Sequence, residues 1–406
     1  MSVWDEVVGQ DAVVADLVRA VEAAARQVGG AAVPGGGAGR PGGTGAGSTA
    51  MTHAWLFTGP PGSGRSTAAR AFAAALQCPR GGCGACTVCR TVRAGTHPDV
   101  RVVRTEQLSI RVDDVRGLVL EASRHPAAGR WQVVLVEDAD RLTEQAGNAL
   151  LKAVEEPAER TVWLLCAPAL EDVLPTIRSR CRHLGLRTPP LDAVAEVLQR
   201  RDGIDPAMAH FAARAAQGHI GRARRLATDE NARLRRQEAL HLPRKVAALD
   251  AALAAAAELV EGAADDAAAI TGGLDERETA DLGRSLGAGT VGRGMVAGAA
   301  GALKELEKQQ KLRGKRLQRD ALDRALVDLA SVYRDALVVQ LGADVGLVNE
   351  EARRDVLELA RGTGPETTLR RIEAVMACRT ALEGNVAPLL AVEAMVLALR
   401  ADPDGE

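Results

Sequence analysis

The stretch Ala54-Trp55-Leu56-Phe57-Thr58-Gly59-Pro60-Pro61-Gly62-Ser63-Gly64-Arg65-Ser66-Thr67 decides how this chain of 406 residues is read. A short apolar run, a glycine-rich turn and a helical pattern over Ala68 to Leu76 follow one another. Glycines let backbone N–H groups turn inward around phosphate oxygens, and the N-terminus of the following helix adds the positive end of its dipole. A strand before and a helix after are the context that a P-loop, G-x-x-x-x-G-K-[ST], requires. Gly59, Pro60, Pro61, Gly62, Ser63, Gly64, Arg65, Ser66 and Thr67 are therefore the candidate nucleotide-binding residues. Arg65 stands where the pattern wants lysine. An ammonium is a compact charge that fits beneath the β- and γ-phosphates, whereas a guanidinium is bulkier and its donors point along a fixed fork. The loop is degenerate, and weak binding of ATP and Mg2+ is expected.

Outward from the loop, Val100 to Val103, Gln132 to Val136 and Thr161 to Leu165 are further short apolar runs separated by helical patterns. This alternation from Trp4 to about Arg187 predicts a parallel sheet with helices on both faces. The run ending at Val136 leads into Glu137-Asp138-Ala139-Asp140, where P-loop ATPases place a Mg-holding Asp followed by a water-polarising Glu. Here the two acids are exchanged, and Asp138 is one methylene shorter than the usual second carboxylate. The alternative is that Glu137 and Asp138 cap a helix starting near Leu142. From Pro190 onward, Ala, Leu, Arg and Glu at helical spacing predict an all-α half. The expected division is residues 1–187, then a small helical lid over 188–240, then a helical domain over 241–406.

Composition bounds the functions open to the chain. At roughly 150 residues per domain the length predicts two or three domains. A hydrophobic fraction of 47% with 26% charged residues excludes a fully disordered chain. A net charge of -2 and 2% aromatic residues argue against a protein that grips nucleic acid by a basic, ring-studded surface. No apolar run approaches the roughly 20 residues of a membrane span, and Met1-Ser2-Val3-Trp4-Asp5-Glu6 is unlike a signal peptide, so a cytoplasmic protein without membrane partners is expected. The 42 glycines gather partly in residues 29–50 and 271–300, both expected as flexible loops, the second between two helices.

Four of the seven cysteines lie close together, Cys78-x4-Cys83-x2-Cys86-x2-Cys89, with Gly81, Gly82 and Gly84 between them. In a reducing compartment such spacing favours metal over disulfides, and four thiolates make a closed tetrahedral zinc site of structural type. An iron–sulfur cluster or four reduced thiols are the alternatives. Cys166, Cys181 and Cys378 are isolated and are expected as small buried residues. Lys308, Lys311, Arg313, Lys315, Arg316 and Arg319 form a basic run that faces DNA, an acidic neighbour or solvent. Arg222, Arg224, Arg225, Arg233, Arg235 and Arg236 are similarly open.

Several stretches together carry a family resemblance. Val7-Val8-Gly9-Gln10 resembles the adenine-side box of AAA+ ATPases, and Asn148-Ala149-Leu150-Leu151-Lys152-Ala153-Val154-Glu155-Glu156-Pro157 resembles the helix after the Walker B acids in bacterial clamp loaders. Ser179-Arg180-Cys181, following Leu174-Pro175-Thr176-Ile177-Arg178, is similar to their Ser-Arg-Cys motif. With the four cysteines, the resemblance is to the delta-prime subunits of the bacterial DNA polymerase III clamp loader. Specific motifs cover residues 3 to about 230; the later helices match in general character only.

This resemblance implies an α/β P-loop AAA+ domain with a zinc-binding insertion at 78–89, a helical lid and an all-α collar domain. It implies a role in DNA replication beside gamma/tau motor subunits and a delta subunit, with the sliding clamp and primer-template DNA reached through the complex. Arg180 is then an arginine finger acting on a neighbouring subunit's ATP site. Departures from the motor pattern choose among members: Arg65, the exchanged acids, a sensor strand ending Leu165-Cys166-Ala167-Pro168 without hydroxyl or amide, and Gly221 where the motor's lid arginine belongs, Arg222 being one residue off. They imply a stator with weak or absent hydrolysis. An active ATPase of gamma/tau type that tolerates Arg65 is the alternative. A zinc-dependent nucleic-acid-binding module with a vestigial P-loop is the third reading.

Overall fold

Every residue of the first strand, β1 (Ala54–Thr58), is buried, as the middle of a doubly covered sheet demands. It belongs to a five-stranded parallel sheet with β2 (Val100–Val103), β3 (Gln132–Val136), β4 (Thr161–Ala167) and β5 (Arg182–Gly185) in the order β2-β3-β4-β1-β5. The computed structural model describes residues 2–29, 50–105, 109–285 and 299–400. It forms two compact units, Met1–Arg224 and Arg225–Glu406.

In the first unit, side-chain alternation along β1 feeds two cores. Trp55 and Phe57 pack with Phe72 and Leu17 on one face, while Leu56 packs with Val134, Leu150 and Ile177 on the other. Trp55 meets Phe72 edge-on at 5.1 Å between centroids, and the Arg182 guanidinium lies 5.0 Å over the Trp55 ring. The helices in chain order are α1 (Asp11–Gly29), α2 (Arg65–Gln77), α3 (Thr87–Arg93), α4 (Val112–Ala122), α5 (Glu144–Glu155), α6 (Pro175–Arg178), α7 (Leu191–Asp202) and α8 (Pro206–Ala215), and the boundary between the units falls within α9 (Ile220–Thr228). Phe57 pairs with Cys166 and with Leu184, and Val136 with Leu165, so the carboxyl ends of β1, β3 and β4 lie side by side. Open α/β sheets bind ligands at that edge. Four of the five strands are legible in the sequence. The missed one, β5, is a four-residue edge strand in which only Leu184 is buried, too short and polar for a pattern.

The second unit is all-α: α10 (Glu230–Lys245), α11 (Leu249–Ser285), α12 (Ala299–Gln340), α13 (Arg353–Gly362), α14 (Pro365–Glu383) and α15 (Pro388–Arg400). Leu322, Leu326, Tyr333, Val375, Val392 and Val396 are among its buried core. One expectation needs correction. Residues 271–285, half of the glycine-rich segment read as a loop, continue α11 as helix. Contacts with α12 outweigh the roughly 1 kcal/mol that each helical glycine costs: Arg313, largely buried, bonds Asp275 and Glu278, and Gln310 Nε2 donates to the Asp275 carbonyl at 3.0 Å. The remainder of that segment up to residue 298, and residues 30–49 of the first glycine-rich stretch, lie outside the described residues. No described helix is long and apolar enough to cross a membrane.

Candidate functional site

The glycine-rich loop leaves β1 tied on two sides. Gly59 N donates to the Pro168 carbonyl at 3.1 Å, just past the end of β4. Gln10, only 5% exposed, donates from Nε2 to the carbonyls of Arg187 (2.5 Å) and Ser63 (3.3 Å) and accepts from Arg187 N (3.2 Å). The Val7 to Gln10 box is therefore a buttress of the loop. Two of its glycines are sterically required: a Cβ on Gly59 would lie 2.4 Å from the Leu186 carbonyl oxygen, and one on Gly62 (φ +88°) 2.6 Å from the His219 side chain. Gly64 faces open space, and the buried Ser63 Oγ has no hydrogen-bond partner among the described residues.

Arg65 opens α2 and turns back, donating from Nη1 to the Gly59 carbonyl. The chain's own guanidinium thus fills part of the loop. Burial pulls its pKa down against the opposing fields of Cys166, Asp140, Asp138 and Asp172. Glu137 is engaged as well: Arg70 Nε and Nη2 each reach its carboxylate at 2.8 Å, and the side chain is almost buried. The position where a P-loop ATPase holds Mg2+ is thereby neutralised by a cation of α2. Asp138 accepts from Thr105 N at 3.3 Å. Burial raises the pKa of Asp140. Asp138 precedes the 3-10 turn Ala139–Arg141 without a side-chain cap bond, and α5 is capped by Thr143 Oγ1, accepting from Ala146 N at 3.2 Å. Cys166 stands near the end of β4 fully buried, its thiol pushed up by desolvation, and offers at most a weak S–H donor where a hydroxyl or amide would meet a γ-phosphate. These residues keep the backbone cradle of a P-loop without fitting a hydrolytic Mg·ATP centre.

Arg180 lies elsewhere, two residues beyond α6. Nε and Nη2 grip the Glu155 carboxylate at the end of α5, and Nη1 donates to the Thr176 carbonyl (2.8 Å) and Ser179 Oγ (3.2 Å). With 38% of its side chain accessible, it presents a fixed guanidinium at the surface. Cys181 beside it is half-buried, and desolvation pushes its thiol up to about 12.

The cysteine cluster forms as the spacing predicts. The four Sγ atoms lie within 4.8 Å of one another, with Cys78 Sγ 3.8 Å from both Cys83 and Cys86. Tetrahedral ligands at a Zn–S length of roughly 2.3 Å stand about 3.8 Å apart, so the set fits Zn2+. Gly81, Gly82 and Gly84 all have positive φ, which lets the loop turn around its centre. Arg80 N and Cys89 N each donate to a sulfur at 3.4 Å. Backbone amides of Cys86 and Ala85 hold the Cys83 thiol down to about 6, whereas burial pushes the Cys89 thiol up. Val3 N donates to the Gly82 carbonyl at 3.0 Å, pinning the loop to the 3-10 turn Val3–Glu6. Bound metal would act as a cross-link, since all four positions are filled by protein.

Two features escaped the sequence reading. Arg70 carries no motif, and only the packing of α2 on the sheet brings it to Glu137. Asp99, 2% exposed, accepts from the consecutive amides of Ala127 (2.6 Å), Ala128 (2.9 Å) and Gly129, fixing the turn that leads into β3. The sequence shows only an acid after His97-Pro98, and it is the fold that buries Asp99. In the second unit, Arg236 is buried among Asp328, Asn349 and Glu351 and is a core residue.

The family profile "DNA polymerase III, delta subunit" matches residues 44–190, and "DNA polymerase III, delta subunit, C terminal" matches residues 315–400. The DNA polymerase III subunit delta' of Pseudomonas aeruginosa is 41% identical over 169 residues, 40% of this chain and 52% of the relative. That of Escherichia coli is 40% identical over 144 residues, 34% of this chain and 43% of the relative. The DNA polymerase III subunit gamma/tau of Mycobacterium bovis is 34% identical over 200 residues, 48% of this chain and 30% of the relative. The chain thus spans about half or less of the length of these relatives.

Proposed function

This chain belongs to the DNA polymerase III delta-subunit family, and from that premise we propose that it is a delta-prime-type, non-motor subunit of a clamp loader, acting in DNA replication. Its partners are gamma/tau motor subunits and a delta subunit, and it meets the sliding clamp and primer-template DNA through the assembly. One contrast carries the reading. Arg65 and Arg70 occupy the chain's own catalytic positions, while Arg180 stands at the surface, away from that loop.

Arg180 completes the ATP site of a neighbouring subunit. A guanidinium delivered in trans stabilises charge on the transferred phosphoryl group and is worth about 10³ to 10⁵ in rate. The chain's own P-loop binds nucleotide weakly and hydrolyses it poorly or not at all, because Gly59 and Glu137 are already bonded by its own arginines. The four-cysteine loop holds structural Zn2+ through Cys78, Cys83, Cys86 and Cys89. Reconstitution with motor and delta subunits tests the assignment. Arg180→Ala is expected to abolish most clamp- and DNA-stimulated ATP turnover while the mass of the complex is unchanged; undiminished turnover overturns the finger.

A motor of gamma/tau type is the second reading, favoured by the 34% identity with a gamma/tau subunit over 200 residues. Substantial ATP turnover by the isolated chain would select it.

A further inference from the structure

Lysine is scarce in this sequence. There are six in all, among 51 Lys and Arg together, and four of them are Lys304, Lys308, Lys311 and Lys315. All four lie on α12, and the spacing of 4, 3 and 4 residues stacks them on one helical face. All four are exposed. Lys308 and Lys311 pair with Glu305 at 3.8 Å and Glu307 at 2.6 Å, but each side chain remains about 70% accessible. Such exposed pairs are weak and yield readily to a competing anion. Arg313, by contrast, points the other way and is tied to Asp275 and Glu278 of α11. The arginine of this segment holds the helix pair together, and the lysines face outward.

We propose that this lysine stripe is a docking face for the phosphate backbone of duplex DNA, bound without regard to sequence. Eleven residues of helix span about 16 Å, with steps of roughly 5 Å between successive lysines. One strand of B-DNA carries a charge every 3.4 Å or so of axis, so the stripe runs alongside about five phosphates. Lysine suits this contact as a point charge on a flexible stem, where the arginine fork would impose a bidentate geometry. The stripe has no aromatic residue to stack on unpaired bases, which favours duplex over single strands. The leucines beside the stripe, Leu303, Leu306 and Leu312, are half-buried and form no exposed apolar face, which disfavours insertion into a lipid surface. The assignment stands apart from the role of Arg180, because its test needs neither motor subunits nor ATP.

The test is fluorescence anisotropy of the full chain with labelled 20-base-pair duplexes of two unrelated sequences, titrated with salt. Four phosphate contacts give a slope of log K against log salt of about -3.6, equivalent to roughly a hundredfold loss between 50 and 200 mM. Lys→Gln at all four positions is expected to remove most binding at low salt. Single substitutions should each reduce the slope by about 1. Lys→Arg at all four should retain binding within a few-fold, with helix content by circular dichroism unchanged throughout. The proposal is overturned if the wild-type chain fails to bind duplex at low salt, or if the Lys→Gln variant binds equally well. It also falls if polyglutamate of matched charge or vesicles rich in anionic lipid compete better than duplex, either of which would reassign the face.

Discussion

Replacing Asp99 by Asn tests the local logic of the first unit with a single atom exchange. Oδ1 of Asp99 accepts from Ala127 N, and Oδ2 accepts from Ala128 N and Gly129 N. An asparagine retains one of these oxygens. In either orientation its amide NH2 faces at least one backbone N–H at hydrogen-bond distance, in a site only 2% exposed. An unsatisfied buried donor costs about 1–3 kcal/mol, and the surviving bonds lose their charge assistance, so the expected loss is about 2–4 kcal/mol. Burial by itself would raise the Asp99 pKa; the amides of Ala127, Ala128 and Gly129, together with His97, outweigh it and hold the carboxyl below its ordinary value. The sign follows. A depressed folded pKa gives stability that is complete above the unfolded value near 3.9 and is lost as pH falls through the lower folded value. Urea unfolding of wild type and Asp99→Asn, followed by circular dichroism from pH 7 to 3, measures both effects. The gap should be widest at neutral pH and close in acid. A difference below about 0.5 kcal/mol at pH 7, or one that persists unchanged into acid, refutes the reasoning.

Three further outcomes are expected. Arg65→Lys should free the Gly59 carbonyl and tighten binding of a fluorescent ATP analogue about tenfold, or roughly 1.4 kcal/mol. Turnover should stay weak or absent because Glu137 remains bonded to Arg70; motor-like hydrolysis in that variant would contradict the account. Elemental analysis of the purified chain should find about one zinc per chain. Cys83→Ser should lower both metal content and thermal stability, whereas iron with visible absorbance would replace zinc by an iron–sulfur cluster. Arg236→Ala removes a guanidinium 3% exposed and bonded to Asp328, Asn349 and Glu351, so a loss of about 3–5 kcal/mol is expected in thermal or urea unfolding. A change under 1 kcal/mol would show that this buried network contributes little.

Legible in the residues alone were the P-loop and its departure at Arg65, four of five strands, and a cysteine spacing that brings four Sγ atoms within 4.8 Å of one another. These are local: apolar runs, glycines at positive φ and ligand intervals each act through residues near in the chain. The sequence left open what neutralises the acids after β3, how Arg180 is held, and whether residues 271–285 are loop or helix. Those answers depend on partners far apart in sequence: Arg70 on Glu137, Glu155 on Arg180, and Arg313 on Asp275 and Glu278. Which charge meets which is set by the packing of whole elements, α2 on its sheet and α11 on α12, and no local pattern of residues encodes that arrangement.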